Sequence, residues 1–185
     1  MKRKTILDAA GIQRTLGRLA LELAERLQGC EGVVLIGIHR RGVPLARRIA
    51  DKLSEVEKVQ VPVGSLDINL YRDDFSSAGT APVLRGTQVD FDIEGRTVVL
   101  VDDVLFTGRT IRAALDALVD LGRPARVQLA VLVDRGHREL PVQADYVGLS
   151  LNTRREDHVE LHLTEFDGED ALLLETQITA KEGRP

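Results

Sequence analysis

Cysteine and aromatic residues are scarce in this chain of 185 residues. Cys30 is the only cysteine, tryptophan is absent, and aromatic residues make up 3% of the sequence. A single thiol cannot close an intrachain disulfide or supply a thiolate metal cluster, which fits a reducing compartment. Because large aromatic side chains are so few, the core must be built mainly from aliphatic residues.

Long apolar runs and secretory signals are also missing. The longest apolar runs, such as residues 33–36, have the length of a strand and fall far short of a membrane span. The basic residues 2–4 are not followed by the apolar segment of a secretory signal, so we expect a cytoplasmic protein. No repeat or low-complexity linker divides the chain, and we predict a single domain over residues 1–185.

Charge and motif content narrow the function classes further. The net charge of -4 argues against a protein that coats nucleic acid nonspecifically, so any RNA site has to be a local basic patch. The chain contains neither a GxxxxGK(S/T) phosphate loop nor a GxGxxG dinucleotide fingerprint. The sequence therefore shows neither of the motifs that usually indicate ATP hydrolysis or nicotinamide binding.

The stretch from Val98 to Thr110 organises the rest of the chain. Four apolar residues precede two adjacent carboxylates, Asp102 and Asp103, and a short turn then opens a helix at about Arg109. Apolar residues recur beyond the turn at helical spacing, at Ile111, Leu115 and Leu118. The pattern predicts a strand-loop-helix unit with its polar residues at the carboxyl end of the strand, where open α/β sheets place their ligands.

The chemistry of this stretch suits a sugar phosphate. Residues 107–110 expose backbone N–H groups at a helix start, and Gly108 lets the chain approach a phosphate closely. Asp102 and Asp103 would repel that phosphate unless something lies between them. A sugar provides the spacer, because its phosphate can bind the turn while its hydroxyls donate to the carboxylates. The alternative is that the acid pair is only a solvated turn.

The same residues resemble a known signature. The run from Val98 to Thr110 is similar to the phosphoribosyl pyrophosphate (PRPP) signature of type I phosphoribosyltransferases. It is most similar to the PyrR family, pyrimidine-operon attenuation regulators that also have uracil phosphoribosyltransferase activity. Residues 37–42, 70–74 and 133–141 resemble that family in the same order, and the likeness covers roughly residues 8–174.

The resemblance implies an α/β fold of the type I phosphoribosyltransferase class. We expect a mainly parallel, twisted sheet flanked by helices, a hood over about residues 135–163 plus the C-terminal segment, and a flexible loop at about 71–87. It also implies a homodimer or a larger homo-oligomer. Local patterns predict helices between Asp8 and Gly29 and over about 43–53, and strands over 32–38, 58–70, 126–134 and 158–163.

Site residues follow from the resemblance, position by position. It implies catalytic roles for Asp102 and Asp103, and for Arg72 and Arg85 of the flexible loop, which would reach the pyrophosphate. The loop that binds the 5-phosphate would comprise Val104, Leu105, Phe106, Thr107, Gly108, Arg109 and Thr110, and the pyrophosphate loop Arg40, Arg41 and Gly42. Mg2+ is the implied cofactor, bound mainly through the substrate rather than directly by the protein.

Base and RNA recognition are implied at two further places. Arg135 and Val159 would surround the base, although the composition of residues 135–139 alone favours a solvated hairpin. A basic face for RNA would comprise Arg14, Arg18, Arg26, Arg154 and Arg155. The alternative is that the mixed-charge face of the first helix is only solvated surface, and its Gly17 and Leu21 depart from the polar side chains usual in the family.

The resulting hypothesis is a bifunctional protein. It transfers ribose 5-phosphate from PRPP to uracil, giving UMP and pyrophosphate, and it binds the leader mRNA of pyrimidine operons in a way that depends on UMP or UTP. The alternative is a phosphoribosyltransferase only, for uracil or a purine base, in which regulation through RNA has been lost.

Overall fold

Two β-sheets organise the fold, described here from a computed structural model that covers residues 2–71 and 86–176. The strands are β1 (Lys2–Leu7), β2 (Val33–Ile38), β3 (Val63–Leu66), β4 (Thr97–Leu105), β5 (Arg126–Asp134), β6 (Tyr146–Ser150), β7 (His158–His162) and β8 (Ala171–Thr176). The helices are α1 (Ala9–Leu27), α2 (Gly42–Glu57), α3 (Arg109–Leu121) and α4 (Thr164–Asp167). Within the two covered ranges, none of the helices has the length and apolar character needed to span a bilayer.

The central sheet contains five parallel strands in the order β3-β2-β4-β5-β6. All six residues of β2 are buried, and β4 opens with the predicted aliphatic run, as is typical of strands covered on both faces. Because the strands are parallel, the carboxyl ends of β2 and β4 lie at one edge. That edge carries both predicted phosphate-binding loops.

Helices cover both faces of this sheet. α1 and α2 pack on one face and α3 on the other. The predicted apolar stripe of α1 is buried, and the carboxylate of Asp8 caps the helix by accepting the N–H of Gly11 at 2.7 Å. Among the described residues, Tyr146 is the only aromatic side chain in the buried core, which is otherwise aliphatic as expected.

A three-stranded antiparallel sheet, β1-β8-β7, forms the hood. Sequence analysis did not predict β1, because its residues are mostly exposed and polar and show no alternation that would identify a strand. β7 has the half-buried alternation expected of it. β6 falls within the range predicted for the hood but extends the central sheet instead, where Tyr146 is fully buried and Gly148 packs against α1.

Two element boundaries differ from the predictions in the region before β4. α2 continues to Glu57, four residues beyond the predicted end at Leu53. β3 is correspondingly shorter than the strand predicted over 58–70, because the chain forms a 3-10 turn at Asn69–Tyr71. The alternating burial continues to Ile68, but pairing with β2 ends at Leu66.

Candidate active site

The acid pair lies inside β4, which is longer than the aliphatic run that predicted it. The strand continues to Leu105, and Asp102 pairs with Val131 of β5. The side chain of Asp102 is almost fully buried, with 6% exposure, whereas Asp103 is half-buried. The sheet therefore fixes the main chain of both acids, as a site built on a rigid element requires.

Asp102 occupies an unfavourable environment for a negative charge. Burial, together with the nearby carboxylate of Asp103, raises the pKa of Asp102 well above the usual carboxyl range. Oδ1 of Asp102 accepts the N–H of Asp103 at 2.9 Å, and Oδ1 of Asp103 accepts the N–H of Val104 at 2.8 Å. A ligand that donates hydroxyl hydrogens to this pair would favour the charged form.

The turn after β4 and the start of α3 enclose a cavity of about 230 Å³. Its wall contains Asp102 and every residue predicted to bind the 5-phosphate, while Asp103 lies outside it. Gly108 is the N-cap of α3 with φ +92°, a left-handed conformation that glycine adopts without strain. Gly108 has no side chain that could cap the helix, and the N–H of Arg109 makes a long contact of 3.4 Å with Oγ1 of Thr107, so the helix start can still bind an anion.

The predicted pyrophosphate loop, Arg40, Arg41 and Gly42, follows β2 and opens α2 beside β4. A Cβ at Gly42 would lie 2.3 Å from the carbonyl oxygen of Val101 and 3.3 Å from Cα of Asp102. Only glycine therefore lets α2 begin this close to β4. The His39–Arg40 peptide bond is cis. The structure thus brings the pyrophosphate loop next to the acid pair.

Both arginines of this loop contact α4 of the hood. Nη2 of Arg41 donates to the two carboxylate oxygens of Asp167 at 3.0 and 3.2 Å, and Cζ of Arg40 lies 4.8 Å from the ring centroid of Phe166. Nε of Arg41 is buried and has no hydrogen-bond partner in the described parts of the chain. A pyrophosphate bound here would therefore share Arg41 with Asp167.

The two residues predicted to surround the base are both buried. Arg135 is 6% exposed; its Nη2 donates to the carbonyl of Arg154 at 2.8 Å, and its Cζ lies 4.2 Å from the ring centroid of Phe106. Val159 packs within the aliphatic core. The side chain of Arg135 thus lies over Phe106, and its backbone N–H donates to the carbonyl of Leu105 at 3.1 Å. Its role at the base stays a prediction, as does that of Val159.

The remaining two predicted catalytic residues, Arg72 and Arg85, lie outside the described residues. Most of the loop predicted at 71–87 lies outside them as well, so these roles also stay predictions. The chain is described again from Gly86, whose carbonyl oxygen lies 2.7 Å from Nε2 of His39. The end of the loop is therefore fixed beside the pyrophosphate loop.

Comparisons with known proteins agree with this geometry. The model of the phosphoribosyl transferase domain family matches residues 2–165. A "Bifunctional protein PyrR" from Roseiflexus sp. is 62% identical over 168 residues, which are 91% of this chain and 92% of the relative. The protein of the same name from Deinococcus radiodurans is 58% identical over 172 residues, 93% and 94% of the two chains. The chain belongs to the PyrR family of phosphoribosyltransferases.

Solved structures of phosphoribosyltransferases have the same fold. A hypoxanthine phosphoribosyltransferase of Trypanosoma cruzi matches with a TM-score of 0.70 at 20% identity, covering 92% of this chain and 95% of that one. One from Staphylococcus aureus has a TM-score of 0.70 at 18% identity, covering 95% and 93%. At these identities the likeness shows the fold alone. These structures confirm the predicted fold, and the family model and the PyrR relatives confirm the predicted PyrR-family phosphoribosyltransferase.

The arginines predicted to bind RNA in this PyrR-family chain divide into two groups. Nη2 of Arg18 donates to the carbonyl of Gly148, and Nη1 of Arg26 donates to the carbonyl of Asp145 at 2.6 Å. Arg26 also lies 4.6 Å above the ring centroid of Tyr146. These two arginines therefore hydrogen-bond to backbone carbonyls at the outer edge of the central sheet. All five arginines are exposed, but Arg155 pairs with Glu139, and only Arg14 and Arg154 make no side-chain hydrogen bond or ion pair within the described residues.

Sequence analysis missed Arg138 and Glu139 as residues that contact the site. Nη1 of Arg138 donates to the carbonyl of Phe106 at 2.8 Å, and Oε2 of Glu139 accepts from Nε of Arg109 at 2.9 Å. Both lie in the segment 133–141 that carries part of the family resemblance. That segment was the available signal, but the composition of residues 135–139 alone favours a solvated hairpin, which predicts no such contacts.

Proposed function

We propose that this chain transfers ribose 5-phosphate from PRPP to N1 of uracil, giving UMP and pyrophosphate. The observation that carries the proposal is that a buried carboxyl, Asp102, and an uncapped helix start share one cavity of about 230 Å³. A ribose 5-phosphate offers hydroxyl donors at one end and a dianion at the other. The carboxylate can accept from the hydroxyls, and the N–H groups can donate to the phosphate.

The proposed reaction builds positive charge on the ribose. The bond from C1 to pyrophosphate breaks early, and the negative potential of Asp102 and Asp103 stabilises the cationic ring that results. The N–H groups of the turn at Gly108 hold the 5-phosphate in place, which contributes positioning rather than acid-base chemistry. Arg41 offsets the negative charge that grows on the leaving pyrophosphate.

The donor set at the end of β4 suits Mg2+. The carboxylate of Asp103 is half-buried and uses Oδ1 to accept the N–H of Val104, and hard oxygen donors of this kind are those that Mg2+ prefers. Asp103, together with oxygens of the substrate, is the group that would hold the ion. When bound, the ion supplies positive charge against the pyrophosphate.

A comparison of bases tests the enzymatic proposal. Uracil, hypoxanthine and guanine are incubated separately with PRPP, Mg2+ and the protein, and nucleotide formation is measured. We expect turnover with uracil and little with either purine, because the backbone of the hood can match the O2, N3–H and O4 pattern of uracil. Turnover with a purine and none with uracil would contradict the proposed substrate while leaving the transferase chemistry intact.

We infer a second function, binding of pyrimidine-operon leader RNA in a way that depends on UMP or UTP. Support comes from the bifunctional relatives at 58–62% identity over more than nine-tenths of the chain. Arg14 and Arg154 are the strongest candidates for phosphate contacts, since both are exposed and neither side chain has a hydrogen-bond or ion-pair partner among the described residues. Arg18 and Arg26 are weaker candidates, because their guanidinium groups already bind the carbonyls of Gly148 in β6 and of Asp145 just before it.

RNA titrations with and without UMP, at stated salt, test this second function. We expect tighter, sequence-selective binding with UMP, and we expect Arg14→Gln to reduce the salt dependence of binding by about one phosphate contact. Arg123→Gln is the matched control, because Arg123 is exposed and follows α3 on the opposite face of the sheet. RNA binding that does not depend on UMP would contradict this second function and leave only the enzymatic one.

A further inference from the structure

Arg138 is a part-buried side chain that the proposed mechanism does not use, and each of its guanidinium nitrogens makes a hydrogen bond. Nε donates to the carbonyl of Val142 at 3.0 Å, and Nη2 donates to Oδ2 of Asp134 at 2.5 Å. Nη1 donates to the carbonyls of Phe106 at 2.8 Å and Gly136 at 3.1 Å. The guanidinium group therefore joins the connection between β5 and β6 to the turn that follows β4.

The same segment also holds the next carbonyl of the turn. The carbonyl oxygen of Thr107 accepts the N–H of Glu139 at 2.9 Å and the N–H of Leu140 at 3.2 Å. Two successive peptide groups of the turn are thus fixed by residues 138–140. Packing supports the same contact, since a Cβ at Gly108 would lie 3.3 Å from Cβ of Val142.

Fixing these carbonyls also fixes the N–H groups on the other side of the same peptides. In a trans peptide the C=O and N–H bonds point in opposite directions. Because the carbonyls of Phe106 and Thr107 face residues 138–140, the N–H groups of Thr107 and Gly108 face away from them. Neither N–H meets an acceptor in the described parts of the chain, and both residues line the cavity.

We propose that Arg138 is a positioning residue for phosphate binding. It does not touch the substrate; it holds the Phe106 peptide so that the N–H of Thr107 is presented to the 5-phosphate, next to the N–H of Gly108. This inference rests on the 5-phosphate part of the proposed function and is independent of which base is used. Hydrogen bonds from a charged donor contribute about 1.5–3 kcal/mol, so losing this orientation should weaken phosphate binding about 10- to 100-fold.

The test compares ligands that do and do not use the turn. For Arg138→Gln we expect the KM for PRPP and the Kd for ribose 5-phosphate to rise about 10- to 100-fold, with the Kd for pyrophosphate unchanged within about twofold. Arg138→Lys should recover part of the loss, because lysine keeps the charge but lacks the planar fork. Arg123→Gln removes the same charge away from the turn and should leave all three constants unchanged.

Several outcomes would overturn the proposal. Unchanged binding of ribose 5-phosphate by a folded Arg138→Gln would show that the turn needs no such support. An equal loss of pyrophosphate binding would indicate general damage to the site rather than positioning. If Arg138→Gln does not fold, the same binding measurements are made on Arg138→Lys, whose fold is checked by circular dichroism. If uracil fails as substrate but the ribose 5-phosphate result holds, the base assignment is wrong and the role of Arg138 stands.

Discussion

Replacing Asp102 by Asn should stabilise the protein while removing its activity. The carboxylate is 6% exposed and lies beside Asp103, and both features disfavour its charge. Asn keeps an oxygen that can accept the N–H of Asp103, the bond that Oδ1 of Asp102 makes at 2.9 Å. The substitution therefore removes a buried charge without removing its hydrogen bond.

The size and pH dependence of the Asp102→Asn gain follow from burial of that charge. Poorly satisfied buried polar groups change stability by about 1–3 kcal/mol, equivalent here to about 2–4 °C in Tm per kcal/mol. Because the pKa of Asp102 is raised in the folded protein, the folded state keeps its proton to higher pH than the unfolded state. The wild type should lose stability relative to the variant as pH rises above about 4, and the two should converge below it.

Urea denaturation of both proteins at several pH values measures the Asp102→Asn effect. Asp103→Asn is the matched control, because its half-buried carboxylate should give little or no gain in stability. Both variants should lose most transferase activity, since each removes negative potential that stabilises the cationic ribose. A variant at position 102 that is less stable than wild type at neutral pH, or a stability difference independent of pH, would refute the reasoning.

Two further substitutions test the packing that positions the site. Gly42→Ala should destabilise the protein by about 1–3 kcal/mol and reduce activity, since its Cβ would lie 2.3 Å from the carbonyl oxygen of Val101. Gly17→Ala in α1 has no neighbour within 4 Å and should instead stabilise by about 0.5–1 kcal/mol; equal effects on denaturation midpoints would contradict the argument. Arg48→Met removes the partner that lowers the pKa of Asp170 to about 2. That pairing contributes stability that is lost as pH falls from about 4 to about 2, so denaturation should separate wild type and variant by about 1–2 kcal/mol at neutral pH and less in acid. A difference that persists unchanged at low pH would exclude the pair as its source.

The unit around Asp102 could be predicted from the sequence because its signals are local. An aliphatic run, an acid pair, a glycine turn and helical spacing all fall between Val98 and Leu118, and the strand, turn and helix form there. The end of the strand was less predictable. β4 includes the acids because Asp102 pairs with Val131, and pairing with a neighbouring strand is not visible in the residues of β4 itself.

Contacts between distant segments account for what sequence analysis missed at the site. Asp167, the partner of Arg41, is 126 residues away along the chain, and Arg138 meets the carbonyl of Phe106 across 32 residues. Each of these arginines was visible as a charge in a motif. Which group each one binds depends on how α4 and the connection between β5 and β6 pack against the carboxyl end of the central sheet, and no local pattern carries that information.

Arg14 and Arg18 show the same limit on a single helix. They carry the same charge, lie four residues apart on α1, and were both predicted to contact RNA. β6 lies along this helix, and its outer edge presents carbonyls without strand partners, one of which accepts from Arg18. Arg14 has no such partner within the described residues. The neighbouring strand, rather than the residue type or its place on the helix, therefore decides which arginine is left to bind a phosphate.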